Sequence, residues 1–322
     1  MSWFSFHFND FAFSFLSILL EGVPFILLGS LISGVVDVFV SSERMSRLLP
    51  RNSTAAILLS GLLGLIFPMC ECGSVIVIRR FIKKGLPLSA AVTYMLGAPI
   101  VSPVVALSTF AAFKGQNPIL MTVLRLALGY GIAVVIGGIV HRIGRAKLLQ
   151  PGVIAGDRER ARTGLRTTAA PTTEDFSVVI EAASFRQKLL LAVQSATADF
   201  LDVAFFLIIG AAIASVFNTA VDQSVILPLA TNPPLAIMAF MVFAAGLALC
   251  STTDAFVAAS LPVIFPMSAK LAFLVFGPMF DLKLFWLYGL IFRFRAVAIL
   301  AAGLFITIAL ICWRLGAIGI FQ

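Results

Sequence analysis

Two stretches of the chain carry the same pattern, PLSAAVTYMLGAP at residues 87–99 and PMSAKLAFLVFGP at residues 266–278. Both have Pro, Ser, Ala and Pro at their first, third, fourth and thirteenth positions, and both open an apolar stretch long enough to span a bilayer. Each follows an apolar segment that a polar, cysteine-bearing turn interrupts, at 70–73 in the first copy and at 250–254 in the second. This arrangement indicates an internal duplication.

The duplication extends upstream of these stretches. Two collinear blocks that keep an acid, Gly, Pro and Ser in register are harder to explain by chance than one shared Pro or Gly. We therefore expect two related halves, each with a hydrophobic segment broken at the same place. An acid, a Phe and a Gly recur with the same spacing in both halves: Glu21, Phe25 and Gly29, then Asp202, Phe206 and Gly210.

The composition predicts an all-α polytopic membrane protein. Of the 322 residues, 60% are hydrophobic and 12% are charged, and the mean hydropathy is +1.06. Soluble globular chains contain about 45–50% apolar and about 25% charged residues. The net charge of +8 does not indicate nucleic-acid binding, because the basic residues lie in loops between apolar runs. Continuous apolar runs also argue against a transmembrane β-barrel, whose strands alternate.

Apolar runs predict eight to ten membrane segments in total. Two of them, 54–83 and 235–265, have arms too short for two full crossings, so we expect broken, re-entrant-like helical hairpins there. Polar turns at membrane depth are tolerated only when they are buried in protein or line a cavity. The other runs predict full spans at 11–40, 88–113, 119–141, 196–220, 269–291 and 294–314.

Loop charges predict the orientation of these segments. Stretches 221–234 and 251–269 contain no Lys or Arg, whereas basic residues cluster around 142–195, so the positive-inside rule places the N-terminus outside and the central loop inside. Each half then has about three transmembrane helices plus one hairpin, and the second half is inverted relative to the first. We predict a first half at 1–141, a cytoplasmic, largely disordered linker at 142–195 and an inverted second half at 196–322.

Cys70, Cys72 and Cys250 are candidate sulfur ligands for a substrate. Pro68 and Gly73 flank the first pair, so we expect the helix to unwind there and both thiols to face one cavity. Thiolates bind soft, thiophilic species, and Cys250 at the second break can supply a third sulfur, as it would for a metal ion. The alternative is that these buried cysteines pack as small hydrophobes.

Four acids are candidates for proton coupling. Glu71 and Asp254 lie at the two predicted breaks, and Glu21 and Asp202 are the matched acids in the first span of each half. A charge inside a membrane costs roughly 3 kcal/mol, so an intramembrane carboxylate is expected to line a cavity or exchange protons. The alternatives are solvation of a turn near the interface for the first pair and helix-packing hydrogen bonds for the second.

Other residues are candidates for substrate contact or gating. Asp281 and Lys283 lie inside an apolar span, with structural charge pairing as the alternative. Pro99 and Pro103, on either side of Ser102, are expected to unwind the span and free backbone carbonyls for a ligand, with a plain kink as the alternative. Arg125, a few residues into its span, is expected to snorkel toward the interface or to pair structurally.

Several of these motifs resemble the signature of the predicted-permease family that includes ArsP-type organoarsenical efflux permeases. They are FPMCECG at 67–73, KGLP at 84–87, GAPIVSP at 97–103, CSTTDAF at 250–256, KLAF at 270–273 and GPMFDLK at 277–283. The resemblance implies a multi-pass permease of the bacterial inner membrane. The substrate-binding candidates at the motif positions are Cys70, Glu71, Cys72, Gly73, Pro99, Ser102, Cys250, Asp254, Lys270, Asp281 and Lys283.

The sequence thus predicts a secondary transporter that exports a small thiophilic solute, such as a trivalent organoarsenical or a soft metal ion, by alternating access. No Walker A motif is visible, so an ion gradient or a partner would supply the energy. We expect no catalytic residue and no cofactor. The expected partners are the substrate and the lipid bilayer and not nucleic acid, and a homo-oligomer is left open. The alternatives are a membrane thiol–disulfide oxidoreductase that uses Cys70 and Cys72, and a channel-like membrane protein.

Overall fold

The chain is almost entirely helical in a computed structural model that describes residues 8–39, 52–66, 69–83, 86–143, 148–150, 185–220, 232–261 and 265–321. These residues contain α-helices and short turns but no β-strand beyond one isolated antiparallel bridge, which joins Leu149 to Phe292. Five of the described helical stretches are long and apolar enough to cross a membrane, which confirms an all-α polytopic membrane protein. They are Asn9–Val35, Pro118–Arg142, Phe185–Val216, Met267–Tyr288 and Phe294–Ala317.

The first half of the chain begins with a long helix, continues with shorter ones and ends with a second long helix. In chain order the helices are α1 (Phe8–Phe39), α2 (Ser53–Leu62), α3 (Glu71–Lys83), α4 (Leu88–Gly97), α5 (Pro103–Ala112) and α6 (Pro118–Arg142). A 3-10 turn at Leu63–Leu65 extends α2.

The second half repeats this order of long and short helices. Its members are α7 (Phe185–Ala220), α8 (Pro233–Leu247), α9 (Thr253–Ser260), α10 (Met267–Met279), α11 (Leu282–Tyr288) and α12 (Phe294–Ala317). The repeated order supports the internal duplication. The inversion of the second half stays a prediction.

Proline chemistry sets many of the helix boundaries. Pro103 and Pro118 occupy the first positions of α5 and α6, where a missing backbone N–H costs nothing. Pro99 follows the end of α4, and Pro278 lies one residue before the end of α10. Proline thus divides two apolar runs that are long enough to cross the membrane unbroken.

Two predicted spans are therefore broken helices. The run at 88–113 forms α4 and α5 with a gap at 98–102, and the run at 269–291 forms α10 and α11 with a gap at 280–281. Helix α7 begins at Phe185, inside the segment predicted as linker, because the sequence there is already a good helix former. The rest of the linker, 151–184, and the loop at 221–231 lie outside the described residues.

Helix packing follows the same plan in both halves. Helices α2, α4 and α6 pack against one another in the first half, as α8, α10 and α12 do in the second. The halves meet along α1 and α7, and also where α3 contacts α11 and α5 contacts α9. The core lies around the stretch Met267–Tyr288, which comprises α10 and α11 and whose apolar part is 78% buried, against 22% for α12. The ends of the broken helices therefore lie in the interior of the molecule.

Candidate functional site

A small pocket lies where the interrupted segments of the two halves meet. We call the chain between the Leu63–Leu65 turn and α3 the first break, and residues 248–252, between α8 and α9, the second break. The structure thus brings five of the predicted site residues into one pocket. The lining residues are Cys70, Glu71 and Cys72 from the first half, Ala248, Cys250 and Lys283 from the second, and Ile18, Gly22 and Leu207 from α1 and α7.

The first break ends at Cys70, three residues earlier than the predicted break at 70–73. Helix α3 begins at Glu71, so Cys70 precedes the helix while Cys72 and Gly73 lie in its first turn. The Cys70 sulfur accepts a hydrogen bond from the Gly73 backbone N–H at 3.3 Å, as an N-cap side chain does, and this contact lets the helix start there. Both thiols still line the pocket.

The second break has a left-handed residue at its start. Helix α8 ends at Leu247, and Ala248 follows with φ 49° and ψ 43°, a conformation that residues other than Gly and Asn rarely adopt. The chain then runs through Cys250, whose carbonyl accepts the Asp254 N–H at 2.9 Å as α9 begins. Strain at a non-glycine residue persists only where neighbouring contacts hold the backbone in place.

Lys283 is the central cation of the pocket. Its Nζ lies 2.9 Å from Glu71 Oε1 and 3.3 Å from Asp281 Oδ2. It also donates hydrogen bonds to the carbonyls of Ala248 at 2.8 Å and Leu249 at 3.0 Å. A buried ammonium group is tolerated only when it is paired and hydrogen-bonded. Lys283 therefore joins a carboxylate of the first half to the second break.

Arg125 contacts the second break from the other side. Of the two expectations for this residue, snorkelling or structural pairing, the structure excludes snorkelling, because the side chain is fully buried (0% exposed). Its Nη1 donates to Thr109 Oγ1 at 2.8 Å and its Nη2 donates to the Ser251 carbonyl at 2.7 Å. Its charge also interacts with that of Asp254, whose buried Oδ2 has no hydrogen-bond partner among the described residues.

Two matched glycines allow the long helices to approach the site. A Cβ on Gly29 of α1 would lie 3.0 Å from the Cα of Gly73, and a Cβ on Gly210 of α7 would lie 2.7 Å from the Cα of Lys283. Any side chain at these positions would push the helices apart. The glycines of the repeated acid–Phe–Gly pattern thus serve equivalent packing roles in the two halves.

Two predicted substrate ligands have mainly structural contacts. Lys270 donates to Gln116 Oε1 at 3.0 Å and to the Leu261 carbonyl at 2.9 Å, at the end of α9, and it is not among the residues that line the pocket. Asp281 caps α11 by accepting the Leu284 N–H at 2.6 Å, and it reaches the pocket only through Lys283.

The residues around the break at 98–102 lie away from the pocket lining. Pro99 belongs to the turn after α4, and Ser102 is the N-cap residue of α5, although its side chain makes no capping hydrogen bond. Both lie in buried positions. The placement of Glu21 is described only for the backbone, which belongs to α1, and its side chain lies outside the described part of the structure.

The fourth proton-coupling candidate, Asp202, takes part in a set of ion pairs between α3 and α7. It lies 2.8 Å from Arg79, and its side chain is 55% exposed. One turn earlier, Asp199 binds Arg80 through two hydrogen bonds of 2.8 and 3.0 Å and accepts the Ser33 hydroxyl at 2.7 Å. Asp202 therefore belongs to a surface that joins the two halves rather than to the pocket.

The cysteines retain their thiol groups. All four are buried, and none forms a disulfide. Across the described ranges, no group of three or more His, Cys, Asp and Glu side chains is arranged to hold a metal ion. The pocket therefore offers Cys70 and Cys72 from the first half and Cys250 from the second as thiol ligands.

The sequence did not predict a role at the site for Arg125, which contacts the second break, or for Thr109, which contacts Arg125. Arg125 is a charged residue seven positions into a mostly apolar helix, and a charge at such a position indicates a buried partner. Thr109, which binds the Arg125 guanidinium, has no comparable signal, because a Thr in an apolar helix commonly bonds its own backbone.

Comparison with known proteins fits this arrangement. The family described as "Predicted permease" matches residues 7–314. The chain belongs to this predicted permease family. UPF0718 protein YcgR of Bacillus subtilis (strain 168) is 36% identical over 270 residues, which cover 84% of each chain. The predicted permease chain is therefore a multi-pass membrane permease of the bacterial plasma membrane.

A second relative has a more specific name. It is the "Putative two-component membrane permease complex subunit" of Streptococcus mutans serotype c (strain ATCC 700610 / UA159), which is 34% identical over 270 residues, or 84% of this chain and 82% of the relative. No solved structure matches this member of the predicted permease family.

Proposed function

We propose that this permease is a secondary transporter that exports a small thiophilic solute by alternating access through the pocket between the two breaks. The observation that carries the proposal is the meeting of Cys70 and Cys72 from the first half with Cys250 from the second in one pocket. A site formed jointly by broken helices of two related halves is the typical substrate site of secondary transporters. Thiol side chains in that site favour a soft solute.

A trivalent organoarsenical suits this pocket better than a metal ion held by three sulfurs. The Cys70 and Cys72 thiols line the same pocket two residues apart in the chain, whereas the described residues offer no group of three or more ligands ready for a metal. An arsenical with two hydroxyl groups can exchange both of them for sulfur. Two As–O bonds then break, two As–S bonds form, two water molecules leave with the thiol protons, and no atom is oxidised or reduced.

The charged residues of the pocket favour a neutral solute. Among the residues that line the pocket, the acid Glu71 and the base Lys283 form a buried ion pair at 2.9 Å, so their charges cancel within the lining. Discrimination among solutes then depends on sulfur chemistry and size more than on electrostatic attraction. This favours an uncharged organoarsenical over a hydrated divalent cation, which would lose a large hydration energy on entering the pocket.

For energy coupling, we propose Asp254 and Glu71 as the carboxylates that exchange protons. Each has one buried oxygen, Oδ2 and Oε2 respectively, without a hydrogen-bond partner among the described residues. Such an oxygen has room for a proton or a ligand group. Uptake into inverted vesicles with and without an imposed pH gradient tests this role, and gradient-driven uptake at the parent rate by Asp254→Asn and by Glu71→Gln would exclude both acids.

A partner subunit is part of the proposal. The name of the Streptococcus mutans relative describes a subunit of a two-component membrane permease complex. By analogy, we propose that this permease associates with a second membrane subunit encoded beside it. Co-purification of the tagged permease with the product of the neighbouring gene, from membranes in which both are expressed, tests the association, and purification of the permease alone under those conditions contradicts it.

Protection of thiols tests the substrate class. Phenylarsine oxide, a trivalent arylarsenical, is expected to slow alkylation of Cys70 and Cys72 by N-ethylmaleimide in the purified permease by about 10-fold or more, as for a site more than nine-tenths occupied. Peptide mass spectrometry reports each cysteine separately. Cys312, which is buried in α12 outside the pocket lining, is the internal control and should be unaffected.

An unchanged rate of alkylation in the presence of phenylarsine oxide would contradict the proposed substrate class. If phenylarsine oxide leaves the alkylation rates of Cys70 and Cys72 unchanged, the two thiols do not bind a trivalent arsenical together. They would then be packing residues of the core, as the alternative interpretation of the sequence holds.

A further inference from the structure

Four of the five carbonyl groups of the second break, those of residues 248–251, accept hydrogen bonds from described residues. An unwound segment inside a membrane protein is stable only when its backbone polar groups find partners in the protein. Three of these four carbonyls have a buried cation as their partner rather than a backbone group. Ala248 and Leu249 accept from Lys283 Nζ at 2.8 and 3.0 Å, Cys250 accepts from the Asp254 N–H at 2.9 Å, and Ser251 accepts from Arg125 Nη2 at 2.7 Å.

The two cations come from different halves of the molecule. Lys283 belongs to α11 of the second half, as the break itself does, whereas Arg125 belongs to α6 of the first half. Arg125 is itself anchored, because its Nη1 donates to Thr109 Oγ1 and that hydroxyl donates to the Val105 carbonyl at 2.7 Å. The first half thus holds the second break through a chain of buried hydrogen bonds.

Arg125 does not line the pocket, but Cys250 does. Among the described residues, Arg125 hydrogen-bonds the break at the carbonyl of Ser251, the residue that follows Cys250. The break starts at Ala248 in a left-handed conformation that has to be held by its surroundings. A contact one residue beyond Cys250 therefore limits how the segment between Ala248 and Ser251 can relax.

We propose that Arg125 is a positioning residue that fixes the second break so that the Cys250 thiol faces the pocket. This inference deepens the proposed function, on which the role of Cys250 in transport rests. A hydrogen bond from a charged donor lowers the equilibrium constant for local opening of a buried segment by roughly 10- to 100-fold. Without Arg125, the break opens more often and Cys250 becomes accessible.

Alkylation of Cys250 measures this positioning without any transport. The background variant retains Cys250 and replaces Cys70, Cys72 and Cys312 by Ser. Adding Arg125→Gln is expected to accelerate alkylation of Cys250 by roughly 10- to 100-fold, because the opening equilibrium shifts by the strength of the lost hydrogen bond. Adding Arg125→Lys, which keeps a buried cation that can reach the same carbonyl, is expected to restore most of the protection.

A second variant covers the case in which Arg125→Gln does not fold, since it also removes a charge that interacts with Asp254. Thr109→Val leaves the charge of Arg125 in place and removes only one anchor of its guanidinium group. It is expected to accelerate alkylation of Cys250 by roughly 2- to 10-fold, as the loss of a single neutral acceptor predicts.

A matched reporter separates local positioning from general loosening. A parallel background retains Cys312 alone, which is buried in α12 and 0% exposed. Acceleration at Cys250 with no change at Cys312 supports the proposal. Equal acceleration at both cysteines overturns the proposal. It is also overturned if neither Arg125→Gln nor Thr109→Val accelerates alkylation of Cys250. Because the assay uses no transported solute, an error in the proposed substrate leaves its result unaffected.

Discussion

Replacing Lys283 by Met is expected to lower the free energy of unfolding by about 3–5 kcal/mol, the usual cost of removing one partner from a buried ion pair. Lys283 faces two buried carboxylates, Glu71 and Asp281, and the change would leave both without their cation. The carbonyls of Ala248 and Leu249 would also lose a donor. The Met side chain fills the volume of the Lys stem but provides no hydrogen bond. The measurement is thermal unfolding of the purified permease in detergent, together with its abundance in the membrane.

Lys270 is the matched control for this substitution. It is also a buried lysine (0% exposed), but its described partners, Gln116 and the Leu261 carbonyl, are neutral. Lys270→Met is expected to cost about 1 kcal/mol, since two neutral acceptors are left behind and a buried cation is removed. Equal losses for the two lysines would show that burial alone, and not the pairing with Glu71 and Asp281, determines the cost.

A double variant tests whether the pairing crosses the two halves. Glu71→Gln combined with Lys283→Met removes both charges of the 2.9 Å pair at once. If the two residues are coupled as the structure shows, the combined loss should be smaller than the sum of the two single losses. Additive losses would mean that Glu71 and Lys283 act independently.

Much of the fold could be predicted from the sequence because its main determinants are local. Long apolar runs can only be membrane helices, and proline residues such as Pro99, Pro103 and Pro278 mark where those helices must break. The exact starts were harder to predict, because they depend on single contacts. Helix α3 begins at Glu71 since the Cys70 sulfur caps Gly73, a contact that no sequence pattern announces.

The candidate site was predictable in part for a different reason. A duplicated pattern implies that equivalent breaks occur in both halves, and the pocket contains one residue set from each break. The partner of each buried charge could not be predicted. Lys283 binds Glu71, which is 212 positions away in the chain, and Arg125 binds a carbonyl 126 positions away. Such pairings are decided by the packing of whole helices.

The placement of Lys270 and Asp202 illustrates the limit of reasoning from motif position. Both lie in or beside repeated patterns, and both were expected to serve transport directly. Their contacts instead join neighbouring elements, Lys270 to the end of α9 and Asp202 to Arg79 of α3. A charged residue in an apolar segment indicates a buried or paired charge, and the structure is needed to say whether that pair faces the pocket.

Loss of both Cys70 and Cys72 is expected to abolish transport of a trivalent arsenical. Both thiols lie at the start of α3 and line the pocket, so the double replacement Cys70→Ser and Cys72→Ser removes both sulfur ligands that the first half supplies. Ser is close in size to Cys, and the Cys70 position can still cap α3 through a hydroxyl oxygen. The change therefore removes the sulfur chemistry while it preserves the local structure.

Uptake of phenylarsine oxide into inverted membrane vesicles measures this loss most directly. The control is Cys312→Ser, which alters a buried cysteine outside the pocket lining, with all variants matched for the amount of permease in the membrane. The predicted result is uptake at the level of vesicles without permease for the double variant, and uptake at the parent rate for the control. Uptake by the double variant at the parent rate would contradict the claim that the pocket between the two breaks binds the transported solute through sulfur.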